Sequence, residues 1–195
     1  MLTLPRTLRL TPLQFAEVCA ANPEAVLELD ADGQLIEMTP TGGDTSARNQ
    51  ALGALLWLAV RQSGLPLKVF DSSGGFLLPD GSVRSPDASL VRLERWQALS
   101  ETDRRGFPPL CPDLVVELAS PSDRIADLES RMATYRENGA SLGWLLLPES
   151  RSVEVWMGAD AEAGTVPQLL SEARRLEAGP VFPGLAIDLQ DIWAA

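Results

Sequence analysis

Glu117 stands inside Leu114-Val115-Val116-Glu117-Leu118, a run that is otherwise aliphatic and is preceded by Pro112. Such a run predicts a short strand buried on both faces. A carboxylate there must be paired, protonated or bound to a metal, because a bare buried charge costs several kcal/mol or more, ~5. Alternation puts Glu117 on one face with Asp113, Val115 and Ala119, and Leu114, Val116 and Leu118 on the other. A second acid, Asp87, follows Pro86 and opens the strand-like run Ala88-Ser89-Leu90-Val91. Two such carboxylates could share one divalent cation. Oxygen ligands of this kind suit Mg²⁺, with Mn²⁺ as a substitute, and the chemistry would be phosphodiester hydrolysis. The competing reading of Glu117 is a buried salt bridge to an arginine.

Other catalytic systems are excluded by composition. The chain has no histidine, so serine-histidine and cysteine-histidine nucleophile systems and histidine zinc sites are absent. Cys19 and Cys111 have neither the number nor the spacing of a metal knuckle or a disulfide framework. Of the sixteen basic residues, Lys68 is the single lysine. A net charge of -11 argues against non-specific coating of nucleic acid but leaves room for a local basic groove. The length predicts one domain over residues 1–195. No apolar run approaches a membrane span and the start lacks the pattern of a secretory signal, so the expectation is a cytoplasmic protein without a membrane partner.

The elements that must carry these residues follow from pattern. Leu10 to Ala21 predicts a helix with Thr11 as N-cap and Pro12 in its first turn. Ala25–Leu29 and Gln34–Met38 predict a hairpin around Asp30-Ala31-Asp32-Gly33, and Ser46 to Ser63 an apolar helix stopped by Gly64. Leu67–Phe70, Gly75–Leu78 and Val83–Val91 read as strands, and Arg92–Leu99 as a short helix. A proline-rich surface connection should lead through Pro108 to Pro112. After the Glu117 strand, Ser120-Pro121-Ser122-Asp123 offers cap chemistry for a helix to about Asn138, with Leu128, Met132 and Tyr135 inward. A second hairpin, Leu142–Leu147 with Val153–Met157, precedes an acidic loop from Ala159 to Gly164, a weak strand at Gln168–Ser171 and a closing segment Pro180–Leu189.

A wider set of segments is more specific than the two acids. Leu29-Asp30-Ala31-Asp32-Gly33, Glu37-Met38-Thr39-Pro40-Thr41-Gly42, Phe70-Asp71-Ser72-Ser73-Gly74-Gly75-Phe76, Arg84-Ser85-Pro86-Asp87-Ala88, Pro112 through Asp123, and Gly139 through Leu145 resemble, in that order, the Uma-type endonuclease family. This family falls within the PD-(D/E)xK restriction-endonuclease-like superfamily, and the resemblance runs from about Thr11 to Trp193. It implies an α/β fold with a mixed central sheet flanked by helices, Mg²⁺-dependent nuclease chemistry and DNA as substrate. By motif match Asp87 is the first metal ligand, Glu117 the second and the backbone carbonyl of Leu118 a third. Glu28 matches an acidic position on the early strand, with a solvated strand residue as the competing reading. The superfamily lysine, expected two residues after the acidic ligand, is replaced here by Ala119, and the helix position that supplies it in Uma-type relatives is Arg131. An arginine can clamp phosphate but cannot readily deprotonate water.

Leu128, Arg131 and Tyr135 share one helical stripe, so Arg131 is expected to point at the carboxylates rather than to pair with Asp127 on the surface. Two other functions remain open at this point. One is a nuclease-fold protein that only binds nucleic acid or protein, and the other is a small-molecule metallohydrolase. A homodimer would suit the cutting of both strands of a duplex.

Overall fold

The computed structural model describes residues 7–160 and 166–194. Its elements in chain order are α1 (Pro12–Ala21), β1 (Val26–Leu29), β2 (Leu35–Met38), α2 (Gly43–Ser63), β3 (Leu67–Asp71), β4 (Phe76–Leu77), β5 (Val83–Arg84), β6 (Ala88–Arg92), α3 (Leu93–Ala98), α4 (Glu101–Arg105), β7 (Leu114–Leu118), α5 (Ile125–Glu137), β8 (Leu142–Leu147), β9 (Ser152–Met157), β10 (Gln168–Leu170), β11 (Arg175–Glu177), β12 (Ala186–Asp188) and α6 (Gln190–Ala194).

Six strands in the order β10-β9-β8-β7-β6-β3 make the central sheet, in which the β7–β8 pair is parallel and the others antiparallel. The parallel pair requires a crossover, and α5 supplies it. A smaller antiparallel sheet, β2-β1-β5-β4, stands apart from it, and β11 pairs with β12. The mixed α/β architecture with helices on a central mixed sheet is the one the resemblance implies.

Both faces of the central sheet are covered, which is why β7 is buried throughout. Leu114, Val116 and Leu118 face a core shared with Leu52, Leu56, Ala59 and Val60 of α2 and with the C-terminal segment, including Phe182 and Ile192. Val115 and Ala119 face a second core with Leu128, Met132 and Tyr135 of α5. The alternation expected of the strand is therefore realised. A third core joins Phe15 of α1 to Leu27, Leu29 and Val83 of the small sheet.

Thr11 caps α1 in a reciprocal capping box with Gln14. The run Val83–Val91 is two strands rather than one. It crosses from the small sheet to the large one at Ser85-Pro86-Asp87, where Pro86 has no N–H to give a ladder. Helix α2 begins at Gly43, earlier than its apolar periodicity, because its first turn is polar, with Gly43, Asp44 and Ser46 exposed and Thr45 alone buried. The Ser120–Asp123 segment does not cap α5. Asp123 Oδ2 instead accepts from Ser120 N and Oγ, closing a separate turn, and the N-cap residue is Arg124. Residues 161–165, most of the expected acidic loop, lie outside the described residues.

Candidate functional site

The antiparallel pairing of β6 with β7 sets Ala88 opposite Val116, and one residue further along Asp87 comes beside Glu117. Asp87 is fixed at the junction of the two sheets. Its Oδ2 accepts from the backbone N–H of Leu118 at 2.8 Å, and its Oδ1 from Asn49 Nδ2 of α2 at 3.2 Å. Glu117 is held from the opposite side by α5. Its Oε1 accepts from the Tyr135 hydroxyl at 2.9 Å and from Arg131 Nε at 3.3 Å. Both donors reach the same oxygen, which leaves Oε2 for the cleft.

The cleft has a volume of about 730 Å³ and is lined by Asp87, Glu117, Leu118 and Arg131 on the sheet side. Thr39 to Thr45 and Arg48 wall it at the start of α2, and Ser120 to Arg124 wall it at the end of β7. It thus sits beyond the carboxyl end of β7 and above α5, a position that the crossover topology leaves open.

Arg131 turns its guanidinium inward. The two terminal nitrogens fork the carboxylate of Glu28 at 3.0 and 2.7 Å while Nε touches Glu117. Asp127, the surface partner available one turn earlier, is 4.0 Å from Arg124 instead. Glu28 is 1% exposed, so it is not a solvated strand residue. It also accepts from Arg84 Nη1 at 3.1 Å and from Ser85 N at 2.9 Å. Both of its oxygens are filled by these donors.

Lys68 takes no part in this cluster. It stacks over the Trp96 ring at 5.1 Å. Tyr135 and Asn49 are site residues that patterning did not single out. Tyr135 reads as packing on an inner helical stripe, although its spacing of four from Arg131 is a signal in hindsight, and Asn49 carries none.

Burial dominates the electrostatics. It pushes Glu117 up to about 7, with Asp87 and Glu28 adding to the rise and Arg131 and Tyr135 opposing it. Burial likewise raises Asp87 above its ordinary value, against the Leu118 N–H, Arg131 and Asn49. Two desolvated acids, with Asp87 discouraging the ionisation of Glu117 and Arg131 only partly offsetting their burial, form a place that can accept further positive charge. The donor chemistry fits a hard divalent ion. Among the described residues no three acidic or thiol side chains converge into a metal cage, so an ion here would rest on two carboxylates and fill its shell with the Leu118 carbonyl and water.

Comparison with known proteins bears on the fold and the family. A crystal structure of a "putative nuclease belonging to DUF820" from Anabaena variabilis superimposes with a TM-score of 0.72 at 18% identity, covering 95% of this chain and 98% of the other. That likeness establishes the fold. No curated protein matches the sequence. The family model Uma2, described as "Putative restriction endonuclease", matches residues 12–190, and the chain belongs to that family.

Proposed function

We propose that this protein is a Mg²⁺-dependent endonuclease acting on DNA, with Asp87 and Glu117 as metal ligands and the Leu118 carbonyl as a third. The observation that carries the reading is the setting of Asp87, immediately before β6, beside Glu117 of β7, both opening into one cleft. When bound, the cation would offset charge on the transferring phosphoryl group and lower the pKa of an attacking water. The protein's own residues do the positioning. Asn49 and the Leu118 N–H fix Asp87, while Tyr135 and Arg131 fix Glu117 through one oxygen and leave the other free. Arg131 keeps a permanent charge beside the carboxylates and acts as an electrostatic clamp, not as the base. Glu28 positions Arg131, since among the described residues its carboxylate bonds to Arg131, Arg84 and the Ser85 N–H.

The test is cleavage of plasmid and oligonucleotide DNA with Mg²⁺, with Mn²⁺ and with chelator, alongside calorimetric titration of each metal. Cleavage that needs metal and falls at least ~100-fold in Asp87→Ala and Glu117→Gln is the expected outcome. Unchanged cleavage in both variants sinks the assignment. A second reading, a nuclease-fold module that binds without cutting, is favoured by one observation: the position matched to the motif lysine is an arginine already forked onto Glu28. Metal binding without cleavage by the parent would select it.

A further inference from the structure

Three arginines line the cleft, and two of them are committed to acids. Arg131 pairs with Glu28 and Glu117, and Arg124 lies within reach of Asp127. Arg48, one turn into α2, has no acidic partner among the described residues. Asp44 stands four residues before it in the acid-first order that favours a helical ion pair, yet the pair is not made. Its Nε is shut off from solvent with no hydrogen-bond partner. Leaving a buried donor unmet is costly, and the half-buried side chain lines the cleft, where an anion could meet it.

Two further facts locate Arg48. Its neighbour Asn49 donates to Asp87, so the backbone that carries Arg48 is registered to the carboxylates. Arg48 also lines a second depression of about 250 Å³ beyond Ser120, whose apolar walls include Pro121, Ile125, Leu147 and Pro148. Arg48 therefore stands between the cleft of Asp87 and Glu117 and a mostly apolar shelf whose rim also carries Asp123 and Glu149, neither of which forms an ion pair with it.

We propose that Arg48 binds a backbone phosphate flanking the one that lies over Asp87 and Glu117, and that the shelf takes the adjoining nucleoside. This rests on the nucleic-acid reading and sharpens it: the substrate is a polynucleotide that extends past Arg48, not a small phosphodiester. A guanidinium suits the contact because it grips phosphate oxygens in a planar fork. One phosphate neutralised should appear in the salt dependence of binding, since each such contact changes the slope of log K against log salt by about 0.9 on duplex and 0.7 on single strands.

The experiment is fluorescence anisotropy of labelled oligonucleotides in chelator, from low to moderate salt, with the parent chain, Arg48→Gln and Arg48→Lys. Thermal melting of each variant serves as a check on folding. Arg48→Gln should bind about tenfold more weakly with a slope smaller by roughly one contact, while Arg48→Lys keeps the slope. With metal added, Arg48→Gln should raise KM on oligonucleotides several-fold more than on a small phosphodiester such as bis(p-nitrophenyl) phosphate. Parental affinity and slope in Arg48→Gln would overturn the proposal while leaving the endonuclease reading intact. Weaker binding with an unchanged slope would also overturn it, as would equal losses on large and small substrates. A parent that binds no nucleic acid under any condition overturns both readings together.

Discussion

Glu117 is held where its neutral form is the more comfortable one, and this has a measurable consequence in the absence of metal. The folded chain keeps the Glu117 proton up to about pH 7, whereas an ordinary glutamate gives it up near 4.5. Between those values the folded state binds more protons than the unfolded state, so stability falls as pH rises through the window and levels off above it. The gap from 4.5 to 7 corresponds to roughly 3 kcal/mol at about 1.36 kcal/mol per pH unit. Glu117→Gln lacks that titration. Its stability relative to the parent, measured by denaturant melts in chelator, should grow from pH 4.5 to pH 7 and then stay constant. A difference that does not change with pH would mean that Glu117 is ionised throughout as a simple ion-pair partner. Glu117 was legible in the sequence because an acid among aliphatic residues is a local contradiction. Tyr135 was legible only as an inward residue on the stripe of Arg131, and Asn49 was not legible at all, because its contact with Asp87 depends on how α2 approaches the sheet, which no local pattern encodes.

The elements themselves were legible where chain chemistry is local. The Thr11 cap, the hairpin of β1 and β2, the stop of α2 at Gly64 and the succession of β7, α5 and β8 follow from caps, turns and periodicity, whereas the parallel pairing of β7 with β8 and the cap of α5 do not. The exchange of sheets at Pro86 was not, since β5 and β6 read as one continuous run of strand formers. The same holds for α4 and β11, which are too short for a period to show. Gly143 on β8 marks how closely α5 presses on the sheet. A Cβ there would collide with Met132 Cε and come within 3.3 Å of Trp156 Cβ. The colliding atom is the free end of the flexible Met132 side chain, which can yield. Gly143→Ala should therefore cost at most about 1 kcal/mol, the low end of the usual range for overpacking. A larger loss in denaturant melts would show that Met132 cannot swing aside without moving α5.

At the scale of the whole molecule, Glu28 belongs to the small sheet and Arg131 to the helix on the large one, so their fork ties the two together beside the cleft. Arg131→Ala leaves two buried carboxylates without their shared cation and should cost about 3–5 kcal/mol in urea unfolding. Adding Glu28→Gln to Arg131→Ala should return part of that loss. The coupling in the double-mutant cycle should exceed about 1 kcal/mol, and additive effects would show the fork to be energetically idle. The fork also bears on how such a chain can change by descent. A lone Arg131→Lys replacement would restore the lysine of the motif, but it would exchange a two-pronged grip on Glu28 for a single point charge. A companion change at Glu28 would have to accompany it. The two positions, 103 residues apart, are therefore expected to be inherited as one unit, so that a return to the motif lysine is a two-step path whose first step is disfavoured.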